Sequence, residues 1–181
     1  ILKIMSERII AIGVASIGYG EAVNGVVPAS YTRLRDIYKG SVAFNFADAN
    51  QVKIEVEGRE DPLAIINRKG DADSIEFSIP SPTTDELVTF CGGTKNGDKW
   101  EAPNSVETIN KAFCIATQPY EGKYVEYTIV NGAVSAKISQ APGSEQTDLL
   151  LVKVTRQSAI AADGSLKPSF IREVKTVTPQ A

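Results

Sequence analysis

The chain has no histidine among its 181 residues. The commonest general base at neutral pH, and the usual activator of a nucleophilic serine or cysteine, is therefore missing, which excludes histidine-based triads. Cysteine is scarce too, with only Cys91 and Cys114. Two are too few for a disulfide framework, and their spacing fits neither a zinc knuckle nor a redox pair. They read as buried free thiols, with a single bridge in an oxidising compartment as the alternative. Positive charge is also short: 19 Lys and Arg stand against 22 Asp and Glu, a net charge of −3. No broad basic field is available to grip a nucleic-acid backbone.

Long apolar runs are absent as well, and nothing approaches the ~18 to 20 residues that span a bilayer as a helix, so no membrane span is expected. Ile9 to Ile17, behind Lys3 and Arg8, has the outline of a weak signal-peptide core, with Gly13-Val14-Ala15 as a small-x-small cleavage site. Glu7 in the would-be basic region and a glycine inside the apolar run fit an ordinary first strand better. Met5-Ser6-Glu7 reads as a natural start, which leaves Ile1 to Ile4 as an upstream remnant.

What is present is an ordinary globular composition, 43% hydrophobic and 23% charged, at a length suited to one domain spanning residues 1–181. Apolar residues recur at every second position, the spacing that places them on one face of a pleated strand. Val52, Ile54 and Val56 alternate with Gln51, Lys53, Glu55 and Glu57, and Ile75, Phe77 and Ile79 alternate with Ser74, Glu76 and Ser78; both are expected as half-buried strands. Ala112–Thr117 and Leu149–Thr155 complete the centre, the latter apolar enough to be buried on both faces. Asn131-Gly132 is the strongest turn signal, because a type I′ hairpin needs positive φ at both central positions. It is expected to join Tyr124–Val130 to Ala133–Ile138. Asn96-Gly97 predicts a second hairpin with Trp100 on its return arm, and Phe170 to Val177 a last strand.

One helix is signalled over about Thr84 to Cys91. Thr83 or Thr84 caps it, Asp85 and Glu86 favour its positive end, and Gly92-Gly93 permit a left-handed exit. Leu87, Phe90 and Cys91 recur at helical spacing, so the helix is expected to lie on the sheet. Gly18 to Gly40 fits neither period and carries Tyr19, Tyr31, Arg33, Arg35 and Tyr38. A loop of that length in a compact domain has a task or is disordered, and Tyr and Arg are interface-enriched types.

No catalytic, cofactor or metal site emerges. Gly18-Tyr19-Gly20 with Gly25 misplaces the third glycine of a dinucleotide fingerprint. Asp71, Asp73 and Glu76 lack the glycine and terminal glutamate of a calcium loop. Glu57, Glu60 and Asp61 sit beside Pro62 in what reads as an exposed turn, with nothing to raise a carboxyl pKa. Cys91 at a helix C-terminus is disfavoured as a thiolate.

The order of elements from Gln51 to Thr155 resembles the tail tube proteins of long-tailed bacteriophages and their relatives in contractile injection systems. The resembling run is Val52-Lys53-Ile54-Glu55-Val56-Glu57-Gly58, then Asp73 to Pro80, the helix Asp85 to Phe90 ending at Gly92-Gly93, and Trp100-Glu101-Ala102-Pro103. It continues through Ala112 to Thr117, Tyr124 to Ile138 and Leu149 to Thr155. The resemblance implies a mainly β fold, a β-sandwich or half-barrel flanked by one short helix, whose subunits close hexameric rings and stack through a long loop and the termini. It divides the chain into a first strand with a long assembly arm (1–50), a β core (51–155) and a C-terminal extension (156–181).

The function so implied is a non-enzymatic virion subunit, made in the bacterial host cytoplasm. Its partners would be copies of itself, other tail proteins, and DNA passing through the lumen without specific binding. An acidic lumen would let DNA slide, and Lys53, Glu55, Glu57 and Glu76 are the candidate lining, against the alternative of a solvated face. Tyr19, Tyr31, Arg33, Arg35 and Tyr38 are the candidate inter-subunit arm, with the Gly58–Gly70 turn region as the other candidate to reach a neighbouring ring. An injection-system tube protein keeps the fold with another cargo. From a different class, a secreted or cell-surface β-sandwich binding or adhesin module would be favoured by a Cys91–Cys114 bridge and a monomeric state.

Overall fold

Period-two patterning dominates the chain, and the computed structural model, which describes residues 7–178, answers it with fourteen strands and one helix among the described residues. Ile1 to Ile4, with Met5 and Ser6 of the expected start, lie outside them. The strands are β1 (Ile12–Glu21), β2 (Thr32–Arg33), β3 (Ala43–Asn45), β4 (Asn50–Ile54), β5 (Ala64–Arg68) and β6 (Ser74–Pro80). After the helix α1 (Thr84–Cys91) come β7 (Thr94–Asn96), β8 (Lys99–Glu101), β9 (Ile109–Gln118), β10 (Lys123–Gln140) and β11 (Leu149–Arg156). β12 (Ala159–Ile160), β13 (Leu166–Lys167) and β14 (Phe170–Thr176) end the series. The protein is mainly β, antiparallel and of the sandwich or half-barrel class, with one flanking helix.

The principal sheet runs β2-β1-β9-β10-β11-β6-β3, and β14 adds to the first half of β10. One face carries Ile17, Phe113, Ile115, Ile129, Leu150, Val152, Val154, Ile75 and Phe77 into a single core. Phe90 of α1 closes that core, 5.2 Å from the Tyr19 ring in an edge-on contact and 6.1 Å from Phe113. Leu34, Ile37 and Val42 cover the rest. The helix holds its place through a complete capping box: the Thr83 hydroxyl accepts from the Glu86 N–H, and a Glu86 carboxylate oxygen accepts from the Thr83 N–H at 2.8 Å. Its expected bounds are the observed ones. β11 buries Leu150, Val152 and Val154, yet Lys153 reaches solvent, so its second face is only partly covered.

Three expectations are corrected. Asn131-Gly132 makes no hairpin, because β10 runs unbroken through it for 18 residues. Its first half pairs with β14 and its second half with β11, while β9 follows on the other side with a register shift between Ile129 and Gly132. Gly132 does not adopt positive φ. A Cβ there would overlap Val154 Cγ1 and lie 3.2 Å from the Lys111 carbonyl oxygen, so this glycine serves a close approach where the strand changes neighbours. Positive φ at both central residues occurs instead at Asn24-Gly25 and at Glu121-Gly122, the latter joining β9 to β10 with Tyr120 and Lys123 exchanging backbone hydrogen bonds. The hairpin expected at Asn96-Gly97 forms one residue later, at Gly97-Asp98, with Lys95 opposite Trp100.

The second correction concerns Gly18 to Gly40, which is not a free arm. Gly18, Tyr19 and Gly20 belong to β1, whose glycines let the returning chain lie flat. A Cβ at Gly18 would be 2.8 Å from Tyr31 Cβ, and one at Gly20 would be 3.2 Å from Pro28. Leu34 then donates its N–H to the Ile17 carbonyl at 2.8 Å and sits in the core. Thirdly, Val52, Ile54 and Val56 do not pack on the core, and they keep 38%, 41% and 37% of their surface exposed. β4 and β5 form a separate two-stranded ribbon in which every residue is exposed.

Candidate assembly surfaces

The β4–β5 ribbon is the most conspicuous surface feature. Val52 stands opposite Ile66 and Ile54 opposite Ala64, and directly opposed residues of an antiparallel pair share a face. One face of the ribbon is therefore apolar, built from Val52, Ile54, Ala64 and Ile66, and no other strand among the described residues pairs with it. Val52, Ile54 and Ile66 remain 38%, 41% and 47% exposed. Alternation of this kind ordinarily places such residues against a core, and here none of the three packs on one. Beyond Ile54 the ribbon is tied once more, by the Leu63 N–H to the Ile54 carbonyl at 2.7 Å, and its tip carries Glu55, Glu57, Arg59, Glu60 and Asp61.

The root of the ribbon is fixed by an aromatic and ionic cluster. Phe44 meets Tyr127 at 5.1 Å and Phe46 meets Phe170 at 5.2 Å, which folds the β3 edge towards β14 and gives the sheet its half-barrel curl. Arg156 donates to the Asp73 carboxylate at 2.9 Å and to Ser169 at 2.7 Å, with its guanidinium 5.9 Å over the Phe170 ring. Asp73 also accepts the Ala47 N–H at 3.3 Å. It is thus a structural anion beside the ribbon's first strand.

The four candidate lining residues do not form one row. Lys53 lies on β4, opposite Ile65, and Glu55 and Glu57 lie past its end towards the tip. Glu76 is elsewhere, on β6 in the principal sheet, with its carboxylate 3.9 Å from Lys153 Nζ of β11.

The five candidate arm residues are dispersed by the fold. Tyr19 packs in the core, and Arg33 extends β2 and donates to the Ala15 carbonyl at 3.2 Å. Arg35 lies exposed, 3.8 Å from Asp36, and the Tyr38 N–H donates to the Ser78 carbonyl at 2.9 Å while its side chain stays exposed. Tyr31 covers the opposite side of the sheet beside Cys114, Glu126 and Thr128, and its buried hydroxyl has no hydrogen-bond partner. Burial pushes its phenol up to about 12, the neighbouring Cys114 adds to the effect, and the adjacent Thr128 hydroxyl, which does not reach it with hydrogen-bond geometry, opposes it. In the sequence this segment reads as an arm because Gly18 and Gly20 resemble loop glycines, as Gly25 and Gly40 with their positive φ are; the role of Gly18 and Gly20 as close-approach sites needs the third dimension.

Both cysteines are free thiols. Burial pushes Cys114 up to about 11 and raises Cys91 as well, so neither is an activated nucleophile at neutral pH. Lys175 is raised first by its 2.7 Å hydrogen bond to Glu126 across β10 and β14, which favours the charged ammonium. Among the described residues no helix is long and apolar enough to cross a membrane. No protein-family model matches the chain, and no curated protein matches it.

Proposed function

We propose that the chain is a structural, non-enzymatic subunit that assembles with copies of itself through the β4–β5 ribbon, in the manner of a phage tail tube protein. The observation that carries the reading is the ribbon's uncovered apolar face, Val52, Ile54, Ala64 and Ile66. A two-stranded ribbon none of whose residues packs on the core gains little from its own fold, and contact with a partner would supply the missing burial. The flanking surfaces suit a ring: the principal sheet ends in the short strands β2 and β3, and β14 leaves a long outer edge, so that lateral pairing between copies closes the sheets. Hexameric rings stacked into a conduit for DNA in a virion tail follow from the resemblance of residues 51–155 to tail tube proteins.

The test is the doubly substituted chain Val52→Lys, Ile66→Lys, compared with the wild type by light scattering over a concentration series. Charging the apolar face should hold the variant at monomer mass where the wild type grows, with the melting temperature unmoved because neither side chain packs on the core. Equal growth of the two would remove the ribbon from the assembly surface.

A further inference from the structure

The ribbon's tip and one cleft of the body have opposite charge and matching apolar content. From Glu55 to Leu63 the tip carries four carboxylates against Arg59 alone, a net charge of −3, and it presents Leu63 at 56% exposure. The cleft, about 440 Å³, lies between the start of β1 and the segment after β2, with Arg33, Arg35 and Lys39 at its walls and Val14, Leu34 and Ile37 inside. Counting Asp36 beside Arg35, this segment is net +2. Among the described residues neither Arg33 nor Lys39 pairs with a carboxylate, and none of the tip's four carboxylates pairs with a cation.

We infer that the cleft walled by Arg33, Arg35 and Lys39 is the socket that receives the acidic ribbon tip of a second copy, Leu63 entering the apolar floor while Glu57, Glu60 and Asp61 face the cationic walls. This deepens the assembly reading and rests on it. It gives the positions expected of an arm the opposite part, since Arg33 and Arg35 stay on the body and accept a neighbour's projection. Tip and socket on one chain make a head-to-tail contact, which propagates along an axis until rotation closes it or it forms a filament. Unpaired charges of opposite sign also steer the encounter and fix which copy-to-copy register forms. Raising the salt concentration should therefore slow assembly.

The test uses the full chain with benzoylphenylalanine in place of Leu63, mixed as isotopically light and heavy copies and irradiated at assembling concentration. Cross-links between light and heavy chains that join position 63 to the peptide containing residues 33–42 are the expected result. Cross-links between copies that land elsewhere, such as the groove beside Trp100 and Val106, would overturn the socket and leave self-assembly standing. Links confined within one copy, or no links while scattering shows assembly, would do the same. No links and no growth would overturn both. Independently, Arg35→Glu with Lys39→Glu should raise the concentration needed for assembly about tenfold or more, and adding Glu60→Lys with Asp61→Lys to that chain should restore it. An unchanged threshold, or a loss that the compensating pair fails to repair, would contradict the charge match.

Discussion

Replacing Gly132 by alanine tests the point where β10 exchanges β14 for β11. The new Cβ would overlap Val154 Cγ1 and stand 3.2 Å from the Lys111 carbonyl oxygen and 3.3 Å from Ile129 Cγ2. Val154 is 1% exposed and Ile129 likewise, so neither can swing into solvent. Overpacking of this kind costs about 1–3 kcal/mol. Because Gly132 does not use positive φ, alanine also stiffens the unfolded chain, which returns about 0.4–1 kcal/mol. The net expectation is a loss of about 1–2 kcal/mol. Val154→Ala alone should lose about 2 kcal/mol or more, from two buried methyl groups and the cavity they leave. In the double variant the methyl group introduced at position 132 occupies part of that cavity, so the losses should fall short of their sum by about 1 kcal/mol. Urea unfolding with an unchanged slope is the assay. Losses that add to within ~0.5 kcal/mol, or a neutral Gly132→Ala, would refute a glycine selected by contact with Val154.

Thr83→Ala removes the hydroxyl that accepts the Glu86 N–H, and should cost about 1 kcal/mol, read as a lower urea midpoint with unchanged slope. Alkaline pH should destabilise the fold. Burial raises Cys114 from 9.0 to about 11 and Tyr31 from 10.0 to about 12. Over that window the unfolded chain holds fewer protons, so the contribution is intact below about pH 9 and is lost as pH rises towards 12. Tyr31→Phe removes a buried hydroxyl without a partner, so stability at pH 7 should be unchanged or higher by up to ~1–3 kcal/mol, with the tyrosine share of the alkaline loss gone. A marked loss at pH 7 would mean that the hydroxyl is satisfied in solution.

Local signals are legible in the sequence where local chemistry decides the structure. Thr83, Glu86 and Gly92 delimit α1 by capping alone, and Ile75, Phe77 and Ile79 find the core because their alternation is matched by a covered face. The errors share one physical origin, since a glycine is selected either by its own φ or by a neighbour's bulk. At Gly97 the first holds and a turn forms; at Gly18, Gly20 and Gly132 the second holds, and the partners Tyr31, Pro28 and Val154 are distant in the chain or set by the fold. The ribbon is the same kind of case. Period two at Val52, Ile54 and Val56 announces an apolar face, but whether that face meets the chain's own core or another molecule is not a property of the period. Gly58–Gly70 is a candidate for projection on sequence grounds, and that region holds part of the ribbon's tip and its whole return strand β5.

Negative-stain electron microscopy of the purified chain at high concentration addresses self-assembly most directly. Stacked rings or hollow tubes are expected, lengthening as concentration rises. Monodisperse single subunits at every concentration would contradict a self-assembling role for the ribbon.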